Sequence, residues 1–423
     1  MLSAVSASFP ASFRKKLRSI SRCGFCYSAP RLMLRYVAIA CFCYSLFFLA
    51  PSLELFGQDT DSPQLIPRTK DERERRYQFE RNIVLNVFVT DEKGKPISGL
   101  KPEEFTVLDD DHPQGVSTFQ ALTTAEGNSH AHILLVLDAI NSSRQTLESI
   151  RKGIVRYLSE GYGPLPYPVS IILVNTAGNR ELAQTTDRDV LVRGLDELRS
   201  HFHRDECASS DAGPEIAVHA AILGSPGTRV VKSSVADSEC LNQRFRQSVG
   251  VLMRLAQQQV EAPGHAIVIW TGPGWPLLVG PEFLPDPPLI RLRDFEYLVE
   301  LCRMLRKAQL TLYALLTFDP DRAAEVRHVG RDVLFNGTPS ANLASAASLG
   351  LPAIARQSGG RVMENTRDIA AGLASSVADA DACYMVSFSS APASNTDEFH
   401  RLEVRVARPG VKVRTATSYY DQP

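Results

Sequence analysis

The sequence predicts an α/β fold with a doubly wound, mainly parallel sheet. Its clearest sign is an apolar run at residues 133–137 that ends at Asp138 and feeds a helical pattern of apolar residues. Three further runs of this kind, separated by helical patterns, lie at residues 168–174, 266–270 and 310–316. Strands this uniformly apolar are buried on both faces, so helices must cover both sides of the sheet.

Shorter β patterns flank this central α/β domain, which we place at residues 131–378. Residues 78–125 predict a small all-β module, because apolar and polar residues alternate there between turns rich in Asp, Gly and Pro. Residues 379–423 predict further strands, around 384–388 and 402–406. The C-terminal strands either pack on the edge of the large sheet or join the N-terminal module, and the sequence leaves both open.

Residues 1–57 have the layout of an export signal. A basic segment precedes the apolar run 36–56, as the charged and hydrophobic regions of a signal peptide do. The run is also long enough to span a bilayer as an uncleaved anchor. We therefore expect an exported protein that is periplasmic, secreted or anchored in the envelope. The polar, charged residues 58–77 predict a linker.

The distribution of charge argues against nucleic acid as a partner. Residues 1–57 contain seven basic side chains and one acidic one, so the rest of the chain, with the total at −1, carries −7. A nucleic-acid-binding body would be basic. Contact with a membrane is expected only through the N-terminal segment, if it is retained.

Four cysteines lie in the body of the chain. Cys207 and Cys240 flank a polar, irregular stretch, and in an oxidising compartment they are candidates for a disulfide. The alternative is two free thiols, because connectivity does not follow from sequence. Cys302 and Cys383 lie in apolar patterns and are expected to be small core residues.

The loop that follows the first core strand is the first candidate functional site. Ligands of open α/β sheets bind outside the carboxyl ends of the strands, where this chain places Asp138 and a Ser-rich loop. The same edge receives the end of the strand at 266–270. The residues expected to contact a partner there are Asn141, Ser143, Thr271 and Trp275. The alternative is structural, with Asp138 accepting backbone N–H bonds at the start of the following helix.

Motifs for catalysis are sparse. The sequence contains no GxSxG elbow, HExxH or Walker loop. The cluster HFHRDEC at residues 201–207 has ligand types for zinc, but its spacing is weakly specific and a solvated loop is the favoured interpretation. The acidic triplet 109–111 suggests calcium in principle, and an acidic β-turn is favoured because no distal acidic partner follows. We therefore expect no enzymatic activity.

Four stretches together resemble the VWFA-related proteins typical of Acidobacteria, whose central domain has the von Willebrand factor type A fold. The first two are NVFVTDEKGKPISGLKPEEFTVLDDDHPQGVSTF at 86–119 and ILLVLDAINSSR at 133–144. The others are IARQSGGRVM at 354–363 and FHRLEVRVARPGVKVRTATSYY at 399–420. The resemblance covers most of the exported chain. No single stretch is specific, and the combination carries the resemblance.

This resemblance implies a metal-ion-dependent adhesion site for Mg²⁺ or Mn²⁺. The family's first loop reads Asp-x-Ser-x-Ser, and here Asp138 and Ser142 match as metal ligands while Ile140 replaces the middle Ser. Gly272 stands where a later loop would supply an Asp. The Thr ligand is not assigned, and Thr228 in GSPGTRV is a candidate that no other feature of the sequence supports. Hard oxygen ligands suit these cations, and this sequence has lost at least two of them. We therefore expect a degenerate site. Either it binds Mg²⁺ or Mn²⁺ through the remaining ligands, or it binds no metal.

The first functional expectation is a non-enzymatic binding or adhesion module that recognises a protein or cell-surface ligand. The alternative is a structural or assembly component of the cell envelope with no metal-dependent binding. A third hypothesis, an enzyme built on the HFHRDEC cluster, ranks below both. Metal-sensitive binding favours the first, and metal indifference with stable self-association favours the second.

Overall fold

The computed structural model describes residues 81–122, 131–202, 215–220, 229–262, 264–275, 288–318, 337–344, 346–364 and 366–422. The chain divides into two units, Met1–Thr69 and Lys70–Pro423, and all described residues belong to the second. The predicted signal or anchor and the predicted linker lie outside the described residues. Within the described residues, no helix is both long and apolar enough to cross a bilayer.

Strands occupy both ends and the centre of the described chain. In chain order they are β1 (Asn82–Asp91), β2 (Phe105–Asp109), β3 (His112–Gln114), β4 (Val116–Leu122), β5 (His132–Asp138), β6 (Val169–Val174), β7 (Arg180–Thr185), β8 (Glu215–Ala220), β9 (Arg229–Ser234), β10 (Ala266–Gly272), β11 (Leu310–Leu316), β12 (Val362–Met363), β13 (Cys383–Ser389), β14 (Glu398–Val406), β15 (Val411–Arg414) and β16 (Ser418–Asp421).

The α-helices lie between the central strands. They are α1 (Arg144–Ser159), α2 (Arg188–Leu198), α3 (Val235–Val260), α4 (Pro288–Lys307), α5 (Leu351–Gln357) and α6 (Ile369–Ala378). Helix α1 begins where Ser143 accepts a hydrogen bond from the Thr146 backbone N–H, and α2 begins at Asp187 in the same way. These caps satisfy backbone donors that the first turn of a helix leaves without partners.

The central sheet has six strands in the order β12-β11-β10-β5-β6-β7. All neighbours are parallel except β7, which pairs antiparallel with β6 at the edge. The predicted α/β class with a mainly parallel sheet is thereby confirmed. Strand β6 follows β5 on one side, while β10 to β12 extend the sheet on the other, so the strand order reverses between β5 and β10.

Helices cover both faces of this sheet. On one face, Leu134 and Val136 of β5 pack with apolar residues of α3, α4 and α5. On the opposite face, Ile133, Leu135 and Leu137 pack with α1, α2 and α6. Alternate side chains of one strand therefore enter two separate cores. Burial of each fully buried Leu or Ile stabilises the fold by about 1.5–3 kcal/mol relative to an exposed side chain.

The N-terminal and C-terminal strands form one β unit instead of two separate modules. Strand β1 pairs with β13 and β15, and β13 also pairs with β4, which gives the sheet β15-β1-β13-β4. The second sheet has the order β16-β14-β2-β3. Both sheets are antiparallel and enclose a shared apolar core that includes Leu85, Val107 and Tyr384. Of the two arrangements that the sequence left open, the structure has the second.

A buried ion-pair network joins this β unit to the α/β domain. Asp379, which follows α6, accepts a hydrogen bond from Arg361 at 2.7 Å and one from Arg414 of β15 at 2.7 Å. Tyr313 of β11 donates to the same carboxylate at 2.9 Å. Arg414 also lies over the rings of Phe88 and Tyr313. The carboxylate has three donors, as burial of a charge requires.

One local prediction is wrong. From the sequence, the apolar patch at residues 216–223 is predicted to form a short helix. Its described residues, 216–220, instead lie in strand β8, which pairs antiparallel with β9. A stretch of six residues is too short for its apolar pattern to distinguish the helical period of about 3.6 residues from the strand period of two.

Candidate functional site

Asp138 lies at the carboxyl end of β5, at the point where the strand order of the sheet reverses. Its neighbours across the sheet are β10 and β6, and both run parallel to β5. The sequence predicts a ligand site at this position, because the loops that follow β5 and β10 diverge there. The Asp138 side chain is completely buried.

Nitrogen donors occupy both oxygens of the Asp138 carboxylate. The Asn141 backbone N–H donates to Oδ1 at 3.0 Å, and the Trp270 indole N–H donates to Oδ2 at 2.9 Å. The Asn141 side-chain amide lies across the carboxylate, with Nδ2 at 2.8 Å from Oδ2 and 3.1 Å from Oδ1. These charge-assisted hydrogen bonds compensate the loss of water around a buried carboxylate.

Asn141 also connects the loop to helix α3. Its Nδ2 lies 2.9 Å from Ser248 Oγ, and the Ser248 hydroxyl in turn donates to the Arg244 carbonyl at 2.9 Å. The loop after β5 is therefore held from the strand side by Trp270 and from the helix side by Ser248.

The remaining residues predicted at this edge are buried as well. Thr271 donates its hydroxyl to the Val136 carbonyl at 2.7 Å, and Ser143 caps α1. Trp275 packs edge-on against Trp270, with ring centroids 5.3 Å apart. The four residues predicted to contact a partner are Asn141, Ser143, Thr271 and Trp275, and none is more than 5% exposed. In this conformation their side chains stabilise the loop and do not form an open surface.

The residues around Asp138 do not fit the Mg²⁺ or Mn²⁺ ion that the resemblance implies. A cation needs acceptor oxygens, whereas Asn141 and Trp270 direct N–H donors at the Asp138 carboxylate. Gly272 lies so close that an added Cβ would sit 2.9 Å from Asp138 Cβ and 3.3 Å from Ser142 Oγ. The Ser142 and Asn141 side-chain oxygens lack hydrogen-bond partners within the described part of the chain. Two neutral oxygens are too few ligands without the carboxylate.

An open concavity that sequence reasoning missed lies beside this loop, and we call it the polar groove. Its volume is about 640 Å³. Its walls are the loop after β5, the loop between β6 and β7, and one face of α3. The described lining residues are Ile140, Asn175, Thr176, Gly178, Asn179, Gln243, Arg246, Gln247, Gly250, Val251 and Arg254. The signal for it in the sequence is the run of polar residues at helical spacing in α3.

The polar groove combines two cations with buried amides. Arg246 and Arg254 are exposed, and no acidic side chain is among the described lining residues. Asn175 is only 7% exposed, and its Oδ1 accepts no hydrogen bond within the described residues. Oε1 of Gln247 also accepts no hydrogen bond within the described residues. A buried amide oxygen without a partner is uncommon, and it indicates a place where a ligand or water completes the bonding.

A second group of titratable side chains lies in the β unit. The Nδ1 atom of His400 lies 3.1 Å from Asp109 Oδ1 and 3.2 Å from Asp110 Oδ2. The three ligand atoms are close enough to hold a metal ion. Tyr419 donates to Asp109 at 2.8 Å, and burial raises the pKa of Asp109. An N–H at Nδ1 can donate to the two carboxylates without a metal, while Nε2 of His400 is buried and has no hydrogen-bond partner within the described residues.

Asp110 and Asp111 form the turn between β2 and β3. Their φ angles are 47° and 67°, which is the left-handed region that Asp tolerates in tight hairpin turns. The acidic triplet of the sequence therefore includes a hairpin turn, as the favoured interpretation expects.

The predicted disulfide and the HFHRDEC cluster lie largely outside the described residues. Cys240 is disulfide-bonded, whereas Cys207 lies outside, so the pairing of the two stays a prediction. Cys302 and Cys383 are free thiols, and burial raises the pKa of Cys302 to about 12. Of the HFHRDEC cluster only His201 and Phe202 are described, and the zinc and enzyme hypotheses stay untested.

Comparisons with known proteins give weak likenesses only. No protein-family model and no curated protein matches the chain. Among solved structures, it is similar to an aerotolerance-related membrane protein from Bacteroides fragilis NCTC 9343 with multiple mutations to serines, at 11% identity and a TM-score of 0.29, over 59% of this chain and 98% of that one. It is also similar to the human COPII-coat protein Sec24c, at 10% identity and a TM-score of 0.29, over 69% of this chain and 43% of that one. At these TM-scores neither likeness carries an argument.

Proposed function

We propose that this chain is an exported, non-enzymatic binding module of the von Willebrand factor type A kind. It recognises a protein or cell-surface ligand through the polar groove and needs no metal ion. The observation that carries the proposal is the groove itself, an open concavity of about 640 Å³ at the carboxyl edge of the parallel sheet. Open α/β sheets bind their ligands at this edge.

Metal independence follows from the bonding of Asp138. A cation at this carboxylate would face the Trp270 indole N–H and the Asn141 amide, and both already donate to its oxygens. Binding would require these donors to leave a buried charge, which costs several kcal/mol. The interactions that hold the loop therefore replace the ion and keep the neighbouring groove in shape.

The composition of the polar groove supports binding instead of catalysis. The described lining residues include no Asp, Glu, His, Cys, Lys or Tyr. These are the side chains that serve as general acids, general bases and most nucleophiles. The arginines and amides that are present recognise charge and peptide groups without exchanging protons at neutral pH.

The proposal is tested by selecting ligands from a random dodecapeptide library on the purified full chain, with EDTA present throughout. The key variant is Gly250→Phe, because Gly250 lies on the α3 face of the groove and an added Cβ there meets only Arg254 Nη1, at 3.7 Å. A phenyl ring extends into the groove, whereas the matched control Gly250→Ala adds one methyl group. Phe and Ala are both better helix formers than Gly, so both variants retain α3.

The expected result is a set of peptides that bind the wild type and Gly250→Ala in EDTA and lose binding to Gly250→Phe. Peptides that bind Gly250→Phe equally well, or peptides recovered only in a parallel selection with Mg²⁺ in place of EDTA, would contradict the proposal. Absence of groove-dependent peptides together with stable self-association would instead favour the structural or assembly role.

A further inference from the structure

We infer that the ligand of the polar groove is an acidic peptide segment, bound through its carboxylates and its backbone. This inference rests on the proposed function, and it names the chemistry of the partner. Two independent features of the groove carry it, the arginines on its α3 wall and the amide oxygens of Asn175 and Gln247, none of which has a partner among the described residues.

The α3 wall of the groove is cationic. Between residues 241 and 260 the helix contains three arginines and no acidic residue. Arg244 is buried, while Arg246 and Arg254 are exposed and line the groove. Neither of these two forms an ion pair within the described residues. Two arginines that face one concavity without a counter-charge among the described residues attract anions, so they favour an anionic ligand.

The spacing of the two arginines matches an extended peptide. They lie eight residues apart on α3, which is about 12 Å along a helix axis. An extended chain covers this distance in about four residues. Guanidinium groups bind carboxylates through two parallel hydrogen bonds, so two acidic side chains about four positions apart can engage both arginines.

The floor of the groove suits a peptide backbone. The Oδ1 of Asn175 and the Oε1 of Gln247 are buried and lack donors within the described residues. Both oxygens are closed to solvent, so a peptide N–H bonds to either one only once that amide side chain turns toward the groove. Side-chain amides pair with peptide groups as donors or acceptors. A free inorganic anion would leave these oxygens unpaired, which makes a peptide the better fit.

Gly250 keeps this wall open. It lies on the same face of α3 as Arg246 and Arg254, in the interior of the helix, where glycine costs about 0.5–1 kcal/mol relative to alanine. The space above its Cα holds nothing closer than Arg254 Nη1 at 3.7 Å, so packing does not explain it. The absence of a large side chain here leaves room for a peptide beside Arg254, and a single methyl group would preserve that room.

The test is fluorescence anisotropy of capped, labelled hexaglutamate with the full chain, beside hexaglutamine as the neutral probe. The Arg246→Gln/Arg254→Gln double variant removes both cations with little change in helix propensity. Arg193→Gln is the matched control, because Arg193 is exposed on α2 and does not line the groove. We expect the double variant to bind hexaglutamate at least about tenfold more weakly, and Arg193→Gln to bind within about twofold of the wild type.

Equal affinity for hexaglutamate and hexaglutamine, or undiminished binding by the double variant, would overturn the inference. The peptide library separates this failure from failure of the proposed function. Groove-dependent peptides without acidic residues would overturn the acidic ligand and leave the binding role intact. A library without any groove-dependent peptide would overturn both.

Discussion

Trp270 donates its indole N–H to Asp138 Oδ2 at 2.9 Å, and both side chains are completely buried. Trp270 of β10 pairs with Val136 of β5 in parallel register, so its indole reaches the carboxylate two residues further along β5. The interaction joins the two strands between which the sheet order reverses. It holds the candidate loop from within the protein at the place where the resemblance implies a metal ion.

Removal of this donor should destabilise the fold. Trp270→Phe leaves one oxygen of a buried carboxylate with fewer donors, and a hydrogen bond to a charged group contributes about 1.5–3 kcal/mol. The measurement is the free energy of unfolding from urea titrations of the wild type, Trp270→Phe, Asp138→Asn and the double variant. The double-mutant cycle separates the hydrogen bond from the loss of ring volume. A coupling energy near zero would contradict the assigned role of Trp270.

The Asp379 network should contribute far more than surface ion pairs. Asp379→Asn leaves Arg361 and Arg414 without their shared counter-charge, and breaking a buried pair costs about 3–5 kcal/mol. Glu403→Gln is the control, because Glu403 and Arg405 are paired but 51% and 64% exposed, and an exposed pair contributes about 0–1 kcal/mol. Thermal unfolding of both variants measures the difference. Similar losses of Tm would be the opposite of the expected result.

His265 should make the protein sensitive to acid. Its side chain is fully buried, both ring nitrogens lack hydrogen-bond partners among the described residues, and burial lowers its pKa to about 4. The unfolded chain binds a proton at the ordinary pKa of 6.5, so stability from this group is present above pH 6.5 and is lost as the pH falls to about 4. The loss amounts to about 3 kcal/mol.

The check is the free energy of unfolding against pH for the wild type and His265→Phe, which cannot bind the proton. The free energy of unfolding of His265→Phe, relative to that of the wild type, should increase as the pH falls from 6.5 and should level off below about pH 4. The exposed His112 provides the control His112→Gln, which should keep the wild-type profile. A His265→Phe profile parallel to the wild type would rule out this origin of the acid sensitivity.

Two helical glycines should respond oppositely to alanine. Gly250→Ala should stabilise the fold by about 0.5–1 kcal/mol, since α3 has space for the methyl group. Gly153→Ala should destabilise it, because a Cβ on Gly153 of α1 would lie 2.4 Å from Ile369 Cβ. Overpacking of this kind costs about 1–3 kcal/mol. Urea titration measures both, and a destabilised Gly250→Ala would mean that the groove wall is packed.

The central strands were predictable because they are buried on both faces. A short apolar run such as residues 133–137, which ends in a polar loop and precedes a helical pattern, is typical of a strand in a parallel sheet. The edge strand β7 escaped prediction, since four of its six residues are exposed and it lacks an apolar run. The pairing of β1 with β13 was left open for a different reason. It joins Asn82 to Ser389, and local patterns do not encode contacts over such separations.

The location of Asp138 followed from the fold, but its partners did not. The Trp270 hydrogen bond depends on the register between β5 and β10, which periodicity does not specify. The sequence also marked Asn141 and Thr271 as partner contacts, whereas their side chains are bonded inside the protein. The polar groove arises from packing of two loops against α3. Arg246, Gly250 and Arg254 at helical spacing were its visible signal.

The loop after β5 is held together by its own side chains in place of a metal ion, and calorimetric titration of the full chain with Mg²⁺ and Mn²⁺ tests this most directly. The matched variant is Asp138→Asn, which keeps the shape of the side chain and removes its charge. We predict that the wild type and Asp138→Asn give the same heats at up to about 1 mM metal. A dissociation constant of about 1 mM corresponds to a binding free energy of about −4 kcal/mol. Wild-type binding in this range that Asp138→Asn abolishes would contradict the account and restore a metal-dependent adhesion site.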